Sequence, residues 1–210
     1  MVPCLLTRYL FTMNAHIRPF TLADSDRIGE ILADGWARAY GGFMPANVLA
    51  PRADRALRRA ELHDFLSTDF DPSSEAIFVS EVAGAITGFA HVVLGDKADL
   101  GTGGYVSLLY VDAESGGRGH GRALLAKGAG WLTLRTDGTI AIAAFKDNPF
   151  HSFYAHLGGA IAKVQDVRID DFSCQSIVYL WPNAGALQRS TLESGAGGGA
   201  RTRMPIGEGF

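Results

Sequence analysis

The sequence is poor in cysteine, contains no long apolar run and has no excess of basic residues. Its two cysteines, Cys4 and Cys174, lie far apart and outside any metal-ligand spacing. Neither a disulfide framework nor a metal site is therefore expected, and the cytoplasm, a reducing compartment, is the simplest location. No run approaches the roughly 18 apolar residues that a membrane-spanning helix needs. The net charge of −3 provides no general field for nucleic acid, so an anionic ligand would have to be held locally.

The two ends of the chain differ in composition from its middle. Residues 1–12 are apolar with one arginine, but no small-residue cleavage site precedes Met13. We interpret 1–13 as a disordered extension, or as a segment upstream of a true start at Met13. Residues 190–210 contain a Gly-Ala-Gly-Gly-Gly-Ala run and almost no large apolar residues, so they cannot offset the entropy of ordering. We expect one domain over 14–183 and a disordered glycine-rich tail over 184–210.

The hydrophobic periodicity changes along the chain from helical to strand-like and back. Thr21 and Asp24 resemble a capping box before a helix that runs to about Tyr40. A second helical stretch, 52–67, carries four arginines that we interpret as a solvated face. Further helices are predicted over 122–135 and 149–157, and strands over 15–20, 77–82, 86–94, 105–111, 139–145, 161–169 and 173–181. The order predicts a mixed α/β (α+β) fold, in which about four helices flank a mixed central sheet of about seven strands.

A glycine-dense turn lies between the strand that ends near Val111 and the helix that begins near Arg122. Four glycines within 116–121 let backbone N–H groups converge without obstruction by Cβ atoms. With the unpaired amides at the positive end of the helix they form a phosphate cradle, to which Arg118 and Arg122 add charge. The turn lacks the Gly-Lys-Ser/Thr ending of a P-loop, and Leu124 occupies the third-glycine position of a Rossmann fingerprint. A tight turn without a ligand stays open as an alternative, although such a turn seldom needs four glycines.

This strand, loop and helix are followed by a strand and the segment 148–159, Asn-Pro-Phe-His-Ser-Phe-Tyr-Ala-His-Leu-Gly-Gly. The arrangement resembles the GNAT acetyltransferase superfamily over about 16–182. The segments 36–40 and 178–181 resemble a bacterial branch of it with varied small-molecule substrates. The resemblance implies acetyl-CoA as co-substrate and no metal. It places the following residues against acetyl-CoA: Leu109, Tyr110 and Val111 along the pantetheine arm, and Gly116, Gly117, Arg118, Gly119, His120, Gly121 and Arg122 at the pyrophosphate.

Asn148 matches a position that often contacts the pantetheine arm in this superfamily, and it is equally suited to cap the helix that begins near Pro149. By the same resemblance, the amide of Leu109 faces the thioester oxygen as an oxyanion donor. Tyr154 is implied as the general acid that protonates the CoA thiolate after direct attack by an amine. Trp36 and Tyr40 are either core residues or the wall of the acceptor pocket.

Two positions depart from the superfamily's pattern. Gly116 stands where the loop usually has Arg or Gln, which leaves the amide contacts intact. Tyr105 stands where the strand often supplies a general-base Glu. Water, His91 or His63 could remove the amine proton instead, whereas Glu81 is expected on a structural or solvent-facing side.

Several functions stay open at this point. One is acetylation of a small amine such as an amino acid, a polyamine, an aminoglycoside-like compound or another antibiotic. Another is acetylation of a protein N-terminus or lysine, and a third is a non-catalytic acetyl-CoA-binding or sensing module. The sequence predicts neither a nucleic-acid nor a membrane partner, and it leaves a homodimer open.

Overall fold

The computed structural model describes residues 15–97 and 99–196, which form a seven-stranded sheet with six helices on its two faces. The predicted extension 1–13 and residues 197–210 lie outside this part. The strands are β1 (His16–Pro19), β2 (Glu75–Val82), β3 (Ala85–Leu94), β4 (Gly104–Val111), β5 (Ile140–Phe145), β6 (Ala160–Ile169) and β7 (Phe172–Trp181). The helices are α1 (Ser25–Tyr40), α2 (Ala46–Ala53), α3 (Arg55–Thr68), α4 (His120–Thr133), α5 (Ser152–His156) and α6 (Ala184–Ala196).

The sheet has the strand order β1-β2-β3-β4-β5-β7-β6. Every neighbouring pair is antiparallel except β4 and β5, which are parallel. Helices α4 and α6 cover one face, over a core that includes Leu124, Leu132 and Leu187. Helices α1 and α3 cover the other face, over a core that includes Ile28 and Phe89. The predicted mixed sheet and its seven strands are therefore confirmed, but the predicted number of helices was too low.

The start of α1 follows the predicted local signals. Thr21 and Asp24 form a capping box around a single 3-10 turn, Leu22–Asp24, which leads directly into α1. Along α1, Ile28, Ile31 and Leu32 are buried against the sheet. Burial of each such side chain stabilises the fold by about 1.5–3 kcal/mol, so this stripe fixes which face of α1 meets the sheet.

The predicted second helical stretch is wrong in its extent, because two helices occupy it. Asp54 has an extended backbone, and its side chain accepts a hydrogen bond from the Leu57 N–H, which starts α3 anew after α2 has ended. The interpretation of the arginines as a solvated face also fails for two of them. The guanidinium of Arg52 lies 5.6 Å from the Trp36 ring centroid and pairs with Asp170. Only 19% of the Arg58 side chain is exposed.

The predicted disordered tail is wrong for its first part, because residues 184–196 form α6. The Asn183 side chain accepts a hydrogen bond from the Ala186 N–H at the start of this helix. Ala184 and Leu187 are fully buried and belong to the core between the sheet and α4. These apolar contacts offset the conformational entropy that is lost when 184–196 becomes ordered. The prediction of disorder came from the glycine content of 184–210 as a whole.

Candidate active site

Strands β4 and β5 diverge in the middle of the sheet. They pair at three positions, Gly104↔Ile140, Tyr105↔Ala141 and Val106↔Ile142. Beyond these pairs β4 continues only along β3, and β5 continues only along β7. In the described part of the chain, the β5-facing edge of residues 107–111 therefore has no strand partner. Such an edge presents backbone N–H and C=O groups with which an extended ligand can pair as an added strand.

A β-bulge marks the point of divergence. His91 of β3 pairs with Leu108, and Val92 pairs with Val106, so Ser107 is the extra residue of β4. Ser107 is exposed although it lies within a central strand of the sheet. A bulge bends its strand and increases the local twist, so this one turns the end of β4 away from β5 and opens the gap.

The glycine loop has the backbone geometry of an anion cradle at the end of this gap. Gly117 and Gly119 have φ angles of 70° and 89°, a region in which a glycine avoids the steric cost of a side chain. Gly116, with φ −61°, has no such need. Gly119 is the N-cap of α4, which begins two residues earlier than predicted. The amides of its first turn have no intrahelical acceptor and lie at the positive end of the helix dipole.

The side chains of the glycine loop differ in whether they are available to an anion bound at the loop. Arg118 is exposed, and Nη2 of Arg122 lies 3.6 Å from the position that a Cβ atom on Gly119 would occupy. His120 is buried, and its Nδ1 atom lies 2.9 Å from Oγ1 of Thr87 on β3. Burial, and then Arg118, lowers the pKa of His120. The His120 side chain is therefore held by Thr87, and a contact of the His120 backbone amide with the pyrophosphate stays a prediction.

Helix α5 closes the other side of the gap. A Cβ atom on Gly121 would lie 3.8 Å from both Cζ of Phe153 and Cγ2 of Val111, so α5, the start of α4 and the end of β4 meet there. The helix is shorter than predicted, but its predicted end is confirmed. Gly158 has φ 77°, and its N–H donates to the Ala155 carbonyl at 2.9 Å.

Tyr154 lies on α5 with its ring packed and its hydroxyl only partly buried. The ring centroid lies 5.5 Å from that of Phe153 and 5.7 Å from that of Tyr179. Its hydroxyl has no hydrogen-bond partner among residues 15–97 and 99–196. Since no buried side-chain oxygen in this part of the chain lacks a partner, the hydroxyl is not fully buried. Burial, followed by the nearby Tyr40 and Tyr179, raises the pKa of Tyr154, so the phenol keeps its proton at neutral pH.

Asn148, just before α5, is already used by the backbone. Its Oδ1 atom accepts a hydrogen bond of 2.9 Å from the Phe150 N–H. This bond belongs to the turn 148–151 before the helix. The predicted helix cap at Asn148 is therefore wrong, because α5 begins only at Ser152 and its N-cap is His151. The bond leaves the amide NH₂ group of the side chain to offer to a ligand.

Aromatic side chains from α1 lie at the β5 side of the gap. Trp36 and Tyr40 have ring centroids 4.7 Å apart, and the Tyr40 ring lies 5.1 Å from that of Phe145 at the end of β5. The Tyr40 hydroxyl lies 3.4 Å from that of Tyr110 on β4. Tyr40 is therefore a buried core residue, one of the two roles predicted for it. Both rings of α1 also lie beside the place where β5 separates from β4.

The side chain of Tyr110 is a feature of the site that the sequence did not reveal. Burial raises the pKa of Tyr110 well above its usual value; Tyr40 and Tyr154 add to this rise, and Arg58 opposes it. The Tyr110 hydroxyl lies 3.4 Å from that of Tyr40. Tyr110 packs on the core of the α1/α3 face and Tyr154 on the core of the α4/α6 face, so neutral tyrosines flank the gap from both faces of the sheet.

The candidate bases lie in different environments. Tyr105 is in the paired part of β4, with Nζ of Lys97 4.7 Å from its ring centroid. His63 is exposed on α3. Glu81 forms an ion pair with Arg18 at 2.7 Å, which is a structural role. His91 is buried, and its Nε2 atom lies 2.5 Å from Oε2 of Glu75.

The chain belongs to the acetyltransferase (GNAT) family, whose family model matches residues 36–158. An uncharacterized N-acetyltransferase, YuaI of Bacillus subtilis, is 25% identical over 173 residues, which cover 82% of this chain and 95% of YuaI. The PaiA N-acetyltransferase of Thermoplasma acidophilum, solved with coenzyme A, has a TM-score of 0.58 at 15% identity, covering 80% of this chain and 100% of its own. The YncA acetyltransferase of Salmonella typhimurium, solved with acetyl-CoA, has a TM-score of 0.56 at 20% identity, covering 80% of this chain and 94% of its own. These solved structures confirm the fold.

Two further observations concern residues 15–97 and 99–196. No three His, Cys, Asp or Glu side chains there are grouped so that they could hold a metal ion. No helix there has the length and apolar character needed to cross a membrane.

Proposed function

We propose that the protein transfers the acetyl group of acetyl-CoA to a primary amine by direct attack in a ternary complex. The observation that carries this proposal is the unpaired edge of β4 over 107–111, which leads into the glycine cradle at the start of α4. The two solved relatives that contain coenzyme A or acetyl-CoA have the same fold and support this choice of co-substrate.

The pyrophosphate would lie on the backbone amides of 116–121 and the first turn of α4. Backbone amides at a helix N-terminus suit phosphate because they combine free donors with the positive end of the dipole. Arg122 lies beside Gly119, and the exposed Arg118 adds a second positive charge. The pantetheine arm would extend along Leu109, Tyr110 and Val111, with the Asn148 amide within reach of it.

The chemistry requires the thioester to be polarised and the leaving thiolate to be protonated. In our proposal the Leu109 amide donates to the thioester oxygen as charge develops on it. The amine nitrogen bonds to the carbonyl carbon, the C–S bond breaks, and Tyr154 gives its proton to sulfur. The tyrosinate then recovers a proton from the former amine nitrogen. The raised pKa of Tyr154 keeps the phenol protonated until the C–S bond breaks.

The test is thiol release from acetyl-CoA with a panel of primary amines, including amino acids, polyamines, aminoglycosides and peptides with a free N-terminus or lysine. With any acceptor that is turned over, Tyr154→Phe should lower kcat by about 10²–10⁴-fold, the range for general acid–base catalysis. Tyr105→Phe is the matched control, because Tyr105 lies in the paired part of β4, and its kcat should change little. Unchanged turnover in Tyr154→Phe would show that the general-acid assignment is wrong.

A further inference from the structure

A cavity of about 260 Å³ lies on the α1/α3 face of the sheet, next to the bulge of β4. Its walls are mainly apolar and include Leu32, Leu62, Phe65, Phe89 and Leu108. Leu108 immediately follows the bulge residue Ser107 and directly precedes Leu109. The cavity therefore adjoins the part of β4 along which the pantetheine arm is proposed to lie.

Three polar residues, Arg58, Glu61 and His91, line the cavity together with the apolar ones, and His91 is paired with Glu75 behind the wall. The side chains of His91 and Glu75 are only 10% and 12% exposed, and His91 lines the cavity. A carboxylate can only accept hydrogen bonds, so Nε2 of His91 is protonated and donates to Glu75. In the neutral imidazole, Nδ1 then keeps its lone pair and can accept a hydrogen bond. Burial lowers the pKa of His91 although Glu75 opposes this shift, so the neutral form with its accepting Nδ1 is favoured.

The accepting nitrogen is free for a ligand. Nδ1 of His91 has no hydrogen-bond partner within 15–97 and 99–196, and no buried side-chain nitrogen there lacks a partner. Nδ1 is therefore not fully buried, and His91 is one of the residues that line the cavity. In our inference this nitrogen is the acceptor offered to a ligand that brings a hydrogen-bond donor.

One wall of the cavity contacts the tyrosines at the gap, because Phe89 lines the cavity and stacks on Tyr110 with ring centroids 5.8 Å apart. Arg58 and Glu61 of α3 line the cavity and form an ion pair at 2.7 Å. The Glu61 side chain is 48% exposed, so this end meets solvent. The Tyr110 hydroxyl in turn lies 3.4 Å from that of Tyr40 at the gap. A ligand with its far end at His91 would therefore present its near end to the gap.

We propose that this cavity is the acceptor pocket and that the acceptor is a compact aromatic primary amine with a hydroxyl or N–H donor at the end remote from the amine. This inference rests on the proposed acetyl transfer. The volume of the cavity corresponds to roughly nine water-sized groups, the size of a ring with a short chain. The ring meets the apolar walls, and the remote donor bonds to Nδ1 of His91. The amino group lies at the end lined by Arg58 and Glu61, where solvent takes up its ammonium proton before the neutral amine attacks the thioester. Polyamines and aminoglycosides do not fit, because their additional charges would be buried against apolar walls.

The test compares tyramine, which has a remote hydroxyl, with 2-phenylethylamine, which lacks it. Calorimetric titrations into the full chain, with and without saturating CoA, should show tyramine binding roughly three- to tenfold more tightly, the value of one net hydrogen bond. In the double variant Glu75→Leu/His91→Leu this preference should vanish while 2-phenylethylamine still binds. The double replacement leaves no buried carboxylate without its partner.

A second pair of variants tests the location. Leu62→Trp places bulk in the cavity and should abolish binding of both amines, whereas Leu57→Trp, at a 40% exposed position of the same helix, should not. If Leu62→Trp does not fold, the double variant decides the question alone. Equal affinities of the two amines, a preference that survives the double variant, or binding unaffected by Leu62→Trp would overturn the inference. Failure of CoA itself to bind in the same titrations would instead count against the proposed function.

Discussion

A Cβ atom on Gly35 of α1 would lie 2.2 Å from Cδ1 of Tyr110 on β4. The ring of Tyr110 therefore packs directly against the backbone of α1. The same ring stacks on Phe89, with centroids 5.8 Å apart, and its hydroxyl meets that of Tyr40. This contact holds α1 at the distance from β4 at which Tyr40 reaches the gap.

Gly35→Ala should therefore destabilise the protein, although alanine is intrinsically the better helix former. We expect the free energy of unfolding to fall by about 1–3 kcal/mol, the usual cost of overpacking, as measured by urea denaturation. Gly42→Ala is the control, because no atom lies within 4 Å of its added Cβ, and it should change stability by less than about 0.5 kcal/mol. A neutral or stabilising Gly35→Ala would contradict the contact with Tyr110.

Gly117→Ala isolates the backbone requirement of the loop. No atom lies within 4 Å of an added Cβ, but φ is 70°, so the whole effect is conformational. We expect a loss of about 1–2 kcal/mol in the free energy of unfolding. Gly116→Ala is the control within the same loop, since its φ is −61° and its Cβ meets only a slightly tight contact, 3.2 Å from the Ala113 carbonyl oxygen. Equal losses for the two variants would argue against the cradle geometry.

The ion pair between Asp24 and Arg18 should contribute stability at neutral pH that is lost in acid. The hydrogen bond from Arg18, and further bonds from Thr21, lower the pKa of Asp24 from 3.8 to about 2 despite opposing desolvation. A depressed pKa contributes stability above the unfolded value and loses it as the pH falls through the folded value. Asp24→Asn should therefore cost about 2 kcal/mol at pH 7 and about 1 kcal/mol at pH 3, measured by urea denaturation at both values. A cost that does not shrink with acid would exclude this linkage.

Helix α6 should contribute to the stability of the domain rather than form an appendage. Leu187 is fully buried, whereas Leu192 of the same helix is 61% exposed. Leu187→Ala should lower the free energy of unfolding by about 2–5 kcal/mol, and Leu192→Ala by less than about 0.5 kcal/mol. If the two substitutions had the same small effect in thermal or urea unfolding, α6 would not be docked on α4 in solution.

Local signals in the sequence predicted local structure well. The capping box at Thr21 and the helix that follows it to Tyr40 each depend on residues that are close together in the sequence. The strand, glycine loop and helix around Gly119 belong to the same class, because a turn with positive φ requires its glycines wherever it lies in the fold.

Features that depend on distant residues were not predictable in this way. The divergence of β4 from β5 follows from a bulge at Ser107, whose pairing partners lie on β3. A serine at this position does not by itself predict a bulge. The burial of His120 requires Thr87, which is 33 residues earlier. The composition of 184–210 as a whole indicates disorder, because its glycine-rich end outweighs the few apolar residues that follow the Asn183 cap and dock α6. The partner of His91, Glu75, also lies on a different strand.

The most direct test of the account is thermal unfolding of the full chain with and without CoA. A ligand that binds only the folded protein stabilises it by about 2.7 kcal/mol at 100 times its Kd. For a domain of this size that corresponds to a rise in Tm of roughly 5–10 °C. We predict such a rise at saturating CoA. An unchanged Tm at millimolar CoA would contradict the proposal that the gap between β4 and β5 and the adjoining glycine cradle bind acetyl-CoA.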